Sequence, residues 1–156
     1  MLNTFRDLRR HHTAPFAVTG ILAILGGGLI AAVTAHAPTQ PWTWAAAYIV
    51  LVAGAAQIAF GVGQSALTTL TLPPRLIALE WLALNLGNAG VVAGVLTDRP
   101  GIVTAGTALF AFTLLLFLIG VRHACHQRTA IAYRLVLGVL FVSSLTGLVL
   151  SLAPHH

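Results

Sequence analysis

The chain has 156 residues, of which 58% are hydrophobic and only 7% are charged. Its mean hydropathy is +0.92. So few charges cannot cover a water-soluble domain of this length, and the composition predicts one membrane domain over residues 1–156. The net charge is +5, but all eight basic residues are arginines that flank apolar runs instead of forming a basic stripe. This distribution argues against nucleic acid as a partner.

The N-terminal segment, residues 1–13, is polar and basic, and we interpret it as a cytoplasmic tail. It is either a short interfacial helix or a frayed extension. The first apolar run follows. Its arginine-rich start and the tripeptide Ala35-His36-Ala37 are typical of a signal peptide, but the apolar part is longer than a signal core. We therefore predict a membrane-spanning helix.

Four more apolar runs follow. Connections that contain proline separate the first four runs, and the polar segment Arg122 to Thr129 precedes the last one. Trp42 and Trp44 stand before the second run, where aromatic residues mark the boundary between water and lipid. Each run is close to the length of about 20 residues that crosses a hydrocarbon core. The sequence predicts an all-α integral membrane protein, a bundle of five transmembrane helices at approximately 15–37, 43–66, 76–96, 102–121 and 131–152.

The arginines predict the orientation of this bundle. Only Arg99 lies on one side, and the other seven lie on the opposite side: Arg6, Arg9, Arg10, Arg75, Arg122, Arg128 and Arg134. Cytoplasmic connections carry the excess of basic residues. We therefore expect the N-terminus in the cytoplasm and the C-terminus outside, in a multi-pass protein of the cell membrane, which in a bacterium is the inner membrane.

The third run carries Glu80, the only acidic residue inside any apolar run. Because the second and third helices are antiparallel, polar residues at matching depths could meet it: Gln57, Gln64, Asn85 and Asn88. A carboxyl group inside the membrane predicts a ligand or proton site that opens to the cytoplasm. The alternative is a packing network in which Glu80 is protonated or paired with Arg134.

Small residues recur on the same two helices. The third run has Ala83, Gly87, Gly90 and Gly94, and the second has Gly54 and Gly61. Small residues allow helix backbones to approach closely in a membrane. We therefore predict that the second and third helices form the tight centre of the bundle.

Histidine and cysteine cluster after the fourth run. His123, Cys125 and His126 are residue types that bind zinc or copper, and the alternative is a set of interfacial side chains. His36 lies at the outer end of the first run and no other histidine lies inside an apolar run, which argues against a haem held by two buried histidines. Motifs of phosphate loops, hydrolases and metalloproteases are absent from the sequence, so it predicts no enzyme and no identified cofactor.

The segment LALNL at 82–86, followed by Arg99-Pro100-Gly101, resembles the tryptophan-rich TspO/translocator family. The resemblance covers about 25 residues. It implies a five-helix membrane bundle. That family's tryptophan-rich second and third helices have glycine and alanine here, and the arginines predict the opposite orientation. No residue role is carried over.

Two function classes stay open on the sequence. The first is a non-catalytic structural or accessory subunit of a homo-oligomer or a larger membrane complex, such as a respiratory one, in contact with membrane lipid. The second is a small carrier or ligand-binding protein that uses the polar cluster around Glu80, with proton-linked transport as one form. They differ in whether Glu80 faces a wet cavity or a sealed helix contact.

Overall fold

The computed structural model describes residues 2–67, 73–121 and 127–152, and these form helices joined by turns, without a strand. The elements are α1 (Leu2–Thr34), α2 (Gln40–Tyr48), a π-helical segment (Ile49–Ala56), α3 (Gln57–Leu67), α4 (Pro74–Leu96), α5 (Pro100–Gly120) and α6 (Gln127–Leu152). The second predicted helix is therefore α2, the π-helical segment and α3 joined end to end.

Four of the described helices are long and apolar enough to cross a membrane. They are Thr13–Thr34 within α1, the continuous rod Gln40–Leu67, α4 and α5. The apolar stretch described in α6, Thr129–Leu145, is shorter. The described residues are thus helical, as predicted, and four helices of spanning length indicate a membrane-associated protein.

The helix starts have a common local cause. Proline stands in the first turn of α2, α4 and α5, where its missing N–H costs nothing and its fixed φ suits a helix. α1 differs from the prediction, because it begins at Leu2 and the basic segment continues directly into the apolar helix. Between α4 and α5, Asp98 has a φ of 52°, which aspartate tolerates better than most residues.

The helices pair as two hairpins with one helix added at the side. α1 packs along α2, the π-helical segment and α3, whereas α4 packs along α5. α6 lies mainly against α5. Between these helices lies an aromatic and aliphatic core in which Phe16 and Phe60 pack on Phe117, with ring centroids 5.7 and 5.5 Å from it.

The small residues of α4 lie against α5. A Cβ atom added to Gly87 would lie 2.9 Å from the backbone nitrogen of Phe110, and one on Gly90 would lie 3.1 Å from the Cα of Gly106. Gly94 meets the backbone of Val103 in the same way, at 2.6 Å. Backbone therefore touches backbone along this hairpin, a contact that only very small residues permit.

The prediction that these residues would join the second helix to the third is wrong. Gly54 faces Ile24 and Gly20 of α1, and Gly61 faces Phe16 of the same helix. Ala83 is buried on α4. The physical reason is that Gly20 and Gly106 supply matching small positions on the first and fourth runs, so each close contact forms within a hairpin.

Candidate functional site

Glu80 is enclosed between α3, α4 and α5. Its side chain is 0% exposed, and both of its carboxyl oxygens accept a hydrogen bond from the Gln64 amide nitrogen at 3.0 Å. Gly120 of α5 covers the pair, since a Cβ there would lie 2.8 Å from that nitrogen and 3.9 Å from Glu80 Oε1. The absence of a side chain at Gly120 gives the pair its room.

A second polar contact centres on Thr19 of α1. The Gln57 amide nitrogen and Trp81 Nε1 both donate to the Thr19 hydroxyl oxygen, the latter at 3.2 Å. The hydroxyl itself donates to the carbonyl of Pro15 at 2.6 Å. One threonine thus connects three helices. The sequence analysis missed it, because a threonine in an apolar run commonly bonds only to its own backbone.

A third polar contact joins the two hairpins near the other end of α4. The Tyr48 hydroxyl donates to Asn88 Oδ1 at 3.0 Å, and the Trp44 ring stacks on Tyr48 with centroids 5.0 Å apart. Tyr48 was also missed, because the sequence analysis gave it no role. Its signal was its position: it stands as far from the outer end of its helix as Asn88 does.

Two predicted members of the cluster lie elsewhere. Asn85 Nδ2 donates to the carbonyl of Trp81 on its own helix at 2.7 Å. Arg134 donates to the carbonyl of Val121 at 2.6 Å, at the end of α5. The proposed Glu80–Arg134 pair is therefore not formed, since Glu80 accepts from Gln64 instead. Side chains on a helix lean toward its N-terminus, so the Arg134 side chain points toward the start of α6. There it reaches the Val121 carbonyl instead of Glu80.

Two buried amide atoms have no hydrogen-bond partner among the described residues. They are Gln57 Oε1 and Asn88 Nδ2, on side chains that are 0% and 3% exposed. A buried polar atom without a partner lowers the stability of the folded state by about 1–3 kcal/mol. Each of these atoms therefore either carries that cost or binds a small polar molecule. The π-helical segment lies between Tyr48 and Gln57, the residues that begin and end this part of the network.

The three contacts, together with a hydrogen bond of 2.9 Å from Thr13 to Ser65, form a polar row along the bundle. We call these residues the polar row: Thr13, Ser65, Gln64, Glu80, Gln57, Thr19, Trp81, Tyr48 and Asn88. The row contains one carboxyl group and otherwise neutral side chains. The row offers no second carboxyl group for a two-acid mechanism.

The proposed metal residues His123, Cys125 and His126 lie outside the described residues. Among the side chains that the structure does describe, no group of three or more His, Cys, Asp or Glu lies close enough to hold a metal ion.

The fold and the polar row define a class: a membrane-associated helical bundle with a buried polar network. Comparison with known proteins adds no family, since no family model, curated protein or solved structure matches the chain.

Thr19→Val should destabilise the bundle by about 2 kcal/mol, because valine keeps the shape but leaves the Gln57 and Trp81 donors without an acceptor. The measurement is thermal unfolding in detergent, followed by circular dichroism. Thr34→Val is the matched control, since the Thr34 hydroxyl donates to carbonyls of its own helix, those of Ile30 and Ala31. Equal melting temperatures for the two variants would mean that Thr19 does not connect the helices.

Proposed function

We propose that this chain is a non-catalytic membrane protein, a structural or accessory subunit of a homo-oligomer or of a larger complex, and that its polar row fixes the helix arrangement. The enclosure of Glu80 carries this proposal. A ligand or transport site needs a cavity with convergent polar groups and a way in. Glu80 instead has 0% exposure, and its oxygens are taken up by a neighbouring glutamine.

The two connections that the structure describes in full, 35–39 and 97–99, are short and support the same function. The turn between α4 and α5 contains only residues 97–99, so this connection contributes no domain outside the membrane. A chain of this kind meets other proteins mainly through its helix surfaces. Large apolar side chains are exposed on α1 and α6, the two helices at the sides of the bundle: Val18, Ile21, Leu22, Leu25, Leu29, Val33, Ile131, Leu135, Val136, Val139, Val142 and Leu145.

These exposed faces make the proposal testable by cross-linking. A photoreactive phenylalanine derivative replaces Leu25 or Val139, which are 65% and 68% exposed, and the membranes are irradiated before solubilisation. At least one position should give a discrete protein adduct, and mild detergent should release a particle larger than the 16.3 kDa monomer. The same derivative at Phe117, which is 0% exposed, is the control and should give no adduct.

The proposal fails if the chain leaves the native membrane as a 16.3 kDa monomer and both exposed positions give only lipid adducts. The test is independent of Glu80, so it addresses assembly without assuming any role for the carboxyl group.

The five-helix topology is part of the proposal. α6 has 26 residues, about the length that crosses a membrane with some tilt, and it packs along α5. With α6 as the fifth span, the arginine asymmetry puts the N-terminus in the cytoplasm and the C-terminus outside.

Cysteine labelling in intact cells tests this topology. A membrane-impermeant maleimide should modify a cysteine placed at Thr39 or Asp98 from outside, and it should spare the native Cys125. Both introduced sites lie in exposed turns, so reactivity reports the side of the membrane. Modification of Cys125 from outside would contradict the predicted orientation.

The second candidate function is a small carrier or ligand-binding protein, and the unpartnered Gln57 Oε1 and Asn88 Nδ2 favour it. One offers an acceptor and the other a donor, both inside the bundle. A proton-linked carrier additionally requires that Glu80 exchange a proton or a cation with water during a cycle. Such exchange needs an opening of the contact between Gln64 and Gly120, which this conformation keeps closed.

A further inference from the structure

The contact between α4 and the rod Gln40–Leu67 contains one unpaired donor and one unpaired acceptor. Asn88 Nδ2 and Gln57 Oε1 have no partner among the described residues, although their side chains are 3% and 0% exposed. The other half of each amide is used, since Asn88 Oδ1 accepts from Tyr48 and Gln57 Nε2 donates to Thr19. Turning either amide over would exchange its two atoms and leave one of them unpaired again.

A third amide side chain, that of Asn85, lies between the layers of these two atoms. Trp81, Asn85 and Asn88 stand four and three residues apart on α4, so they share one side of the helix. At one end of this side, Trp81 and Gln57 both donate to Thr19, and Asn88 stands at the other end. Asn85 is half-buried, so its side chain borders space that a small molecule can enter. Its Nδ2 donates to the Trp81 carbonyl, which leaves Oδ1 as a further acceptor.

The rod supplies the opposite wall of this space. The segment Ile49–Ala56 is π-helical, lies between Tyr48 and Gln57, and packs against α4. π-helical turns occur frequently at functional sites. The layers of Trp81 and Asn88 are about 10 Å apart along α4, because seven residues separate them. Two waters joined by hydrogen bonds of about 2.9 Å span about 9 Å, which matches this separation.

We propose that this part of the bundle is a binding site for water, with two ordered molecules held between Asn88 and Gln57. The first accepts from Asn88 Nδ2 and donates to Asn85 Oδ1, and the second accepts from the first and donates to Gln57 Oε1. Buried waters pair in this way with polar groups that have no other partner, and each makes about three hydrogen bonds. Water fits the site because the site offers a donor and two acceptors without a charge. A cation would be repelled by the amide donor, and an anion by the two oxygens.

This water site is independent of the assembly proposed above, and it assigns to water the two atoms that favour a carrier. Gln57 and Gln64 lie seven residues apart on α3, which is about two turns. The waters therefore end about two turns away from the enclosed contact between Gln64 and Glu80. A dry site would leave the cross-linking result unaffected, so the two proposals fail separately.

Solid-state NMR of the full chain in lipid bilayers tests the water site. The side-chain amides of asparagine and glutamine are labelled with ¹⁵N, and magnetisation is transferred from water protons to them during a short mixing time. The amide protons of Asn88 and Gln57 should give cross peaks at the water frequency. Gln64 is the internal control, because its side chain is also buried, at 4% exposure, and its amide nitrogen donates to Glu80. It should give no such cross peak.

Two variants at Asn85 separate the waters from the fold, because the hydrogen bond that Asn85 donates lies within its own helix. Asn85→Leu fills the space with an apolar group and should remove the water cross peak of Asn88. Asn85→Ser keeps an acceptor at this position and should retain the cross peak. If Asn85→Leu does not fold, the comparison of Asn88 with Gln64 in the wild type decides.

The absence of a water cross peak at Asn88 or at Gln57 in the wild type would overturn the proposal, and the unpaired atoms would then lie in a dry contact. A cross peak of equal strength at Gln64 would also overturn it, because water would then reach the Glu80 contact. A cross peak at a frequency other than that of water would assign the site to another small molecule. An Asn88 cross peak that Asn85→Leu leaves unchanged would contradict the position of the first water.

Discussion

Gly87→Leu is expected to destabilise the bundle by about 3 kcal/mol or more, because overpacking against a rigid partner cannot be relieved by a rotamer change. The atoms around Gly87 belong to the backbone: a Cβ would lie 2.9 Å from the nitrogen of Phe110 and 3.1 Å from the carbonyl oxygen of Gly106. The two helices would have to separate to admit a leucine. That separation would also loosen the core around Leu84 and Leu114, which are both 0% exposed.

Ala89→Leu is the matched control for this prediction. Ala89 lies two residues further along α4 on its exposed side, so an added side chain there meets the surroundings of the bundle. Thermal unfolding of both variants in the same detergent gives the comparison. Equal melting temperatures for the Gly87→Leu and Ala89→Leu variants would show that α4 does not contact α5 through Gly87.

Gln64→Leu should cost about 2 kcal/mol, because it removes the hydrogen-bond donor from a carboxyl group that is fully buried. Glu80→Leu should also destabilise, since it leaves the Gln64 amide unpaired beneath Gly120. The double variant Gln64→Leu with Glu80→Leu replaces the whole contact by apolar groups. Such replacements are close to neutral for buried polar pairs, so the double variant should be more stable than the Gln64→Leu single variant.

The four free energies of unfolding form a double-mutant cycle. The predicted coupling is about 2 kcal/mol, within the range found for side chains in direct contact. If the destabilisations of the two single variants simply added up in the double variant, Gln64 and Glu80 would not be hydrogen-bonded in the folded protein. The enclosed contact described above would then be incorrect.

Much of the helical framework could be predicted from the sequence. Apolar runs of membrane length, and prolines at Pro74 and Pro100, locate α4 and α5 within two residues of their observed starts. Depth matching on antiparallel helices also predicted that Gln64 would lie near Glu80, where the structure places it. These inferences rest on lengths and on chain direction, which a single sequence contains.

The partners of the glycines and the centre of the polar row could not be predicted. When a helix has small residues on several sides, its sequence does not reveal which side contacts which neighbouring helix. Gly87 packs against α5, where Gly106 is the small residue opposite it. Thr19 carried no signal of its own, since a helix can satisfy a threonine hydroxyl locally. Tyr48 carried only a depth in the bundle that matches that of Asn88. The π-helical segment IVLVAGAA likewise has an ordinary apolar sequence, and it packs against α1.

Proton flux through reconstituted liposomes tests the central claim, that Glu80 is a sealed structural group. Liposomes containing wild type or Glu80→Gln receive a pH gradient, with and without a panel of small solutes, and an internal pH-sensitive dye reports its decay. We predict that both proteins, like empty liposomes, leave the gradient to decay at the passive rate. A faster decay with the wild type that Glu80→Gln abolishes, with its melting temperature unchanged, would contradict the claim and establish a proton-linked carrier.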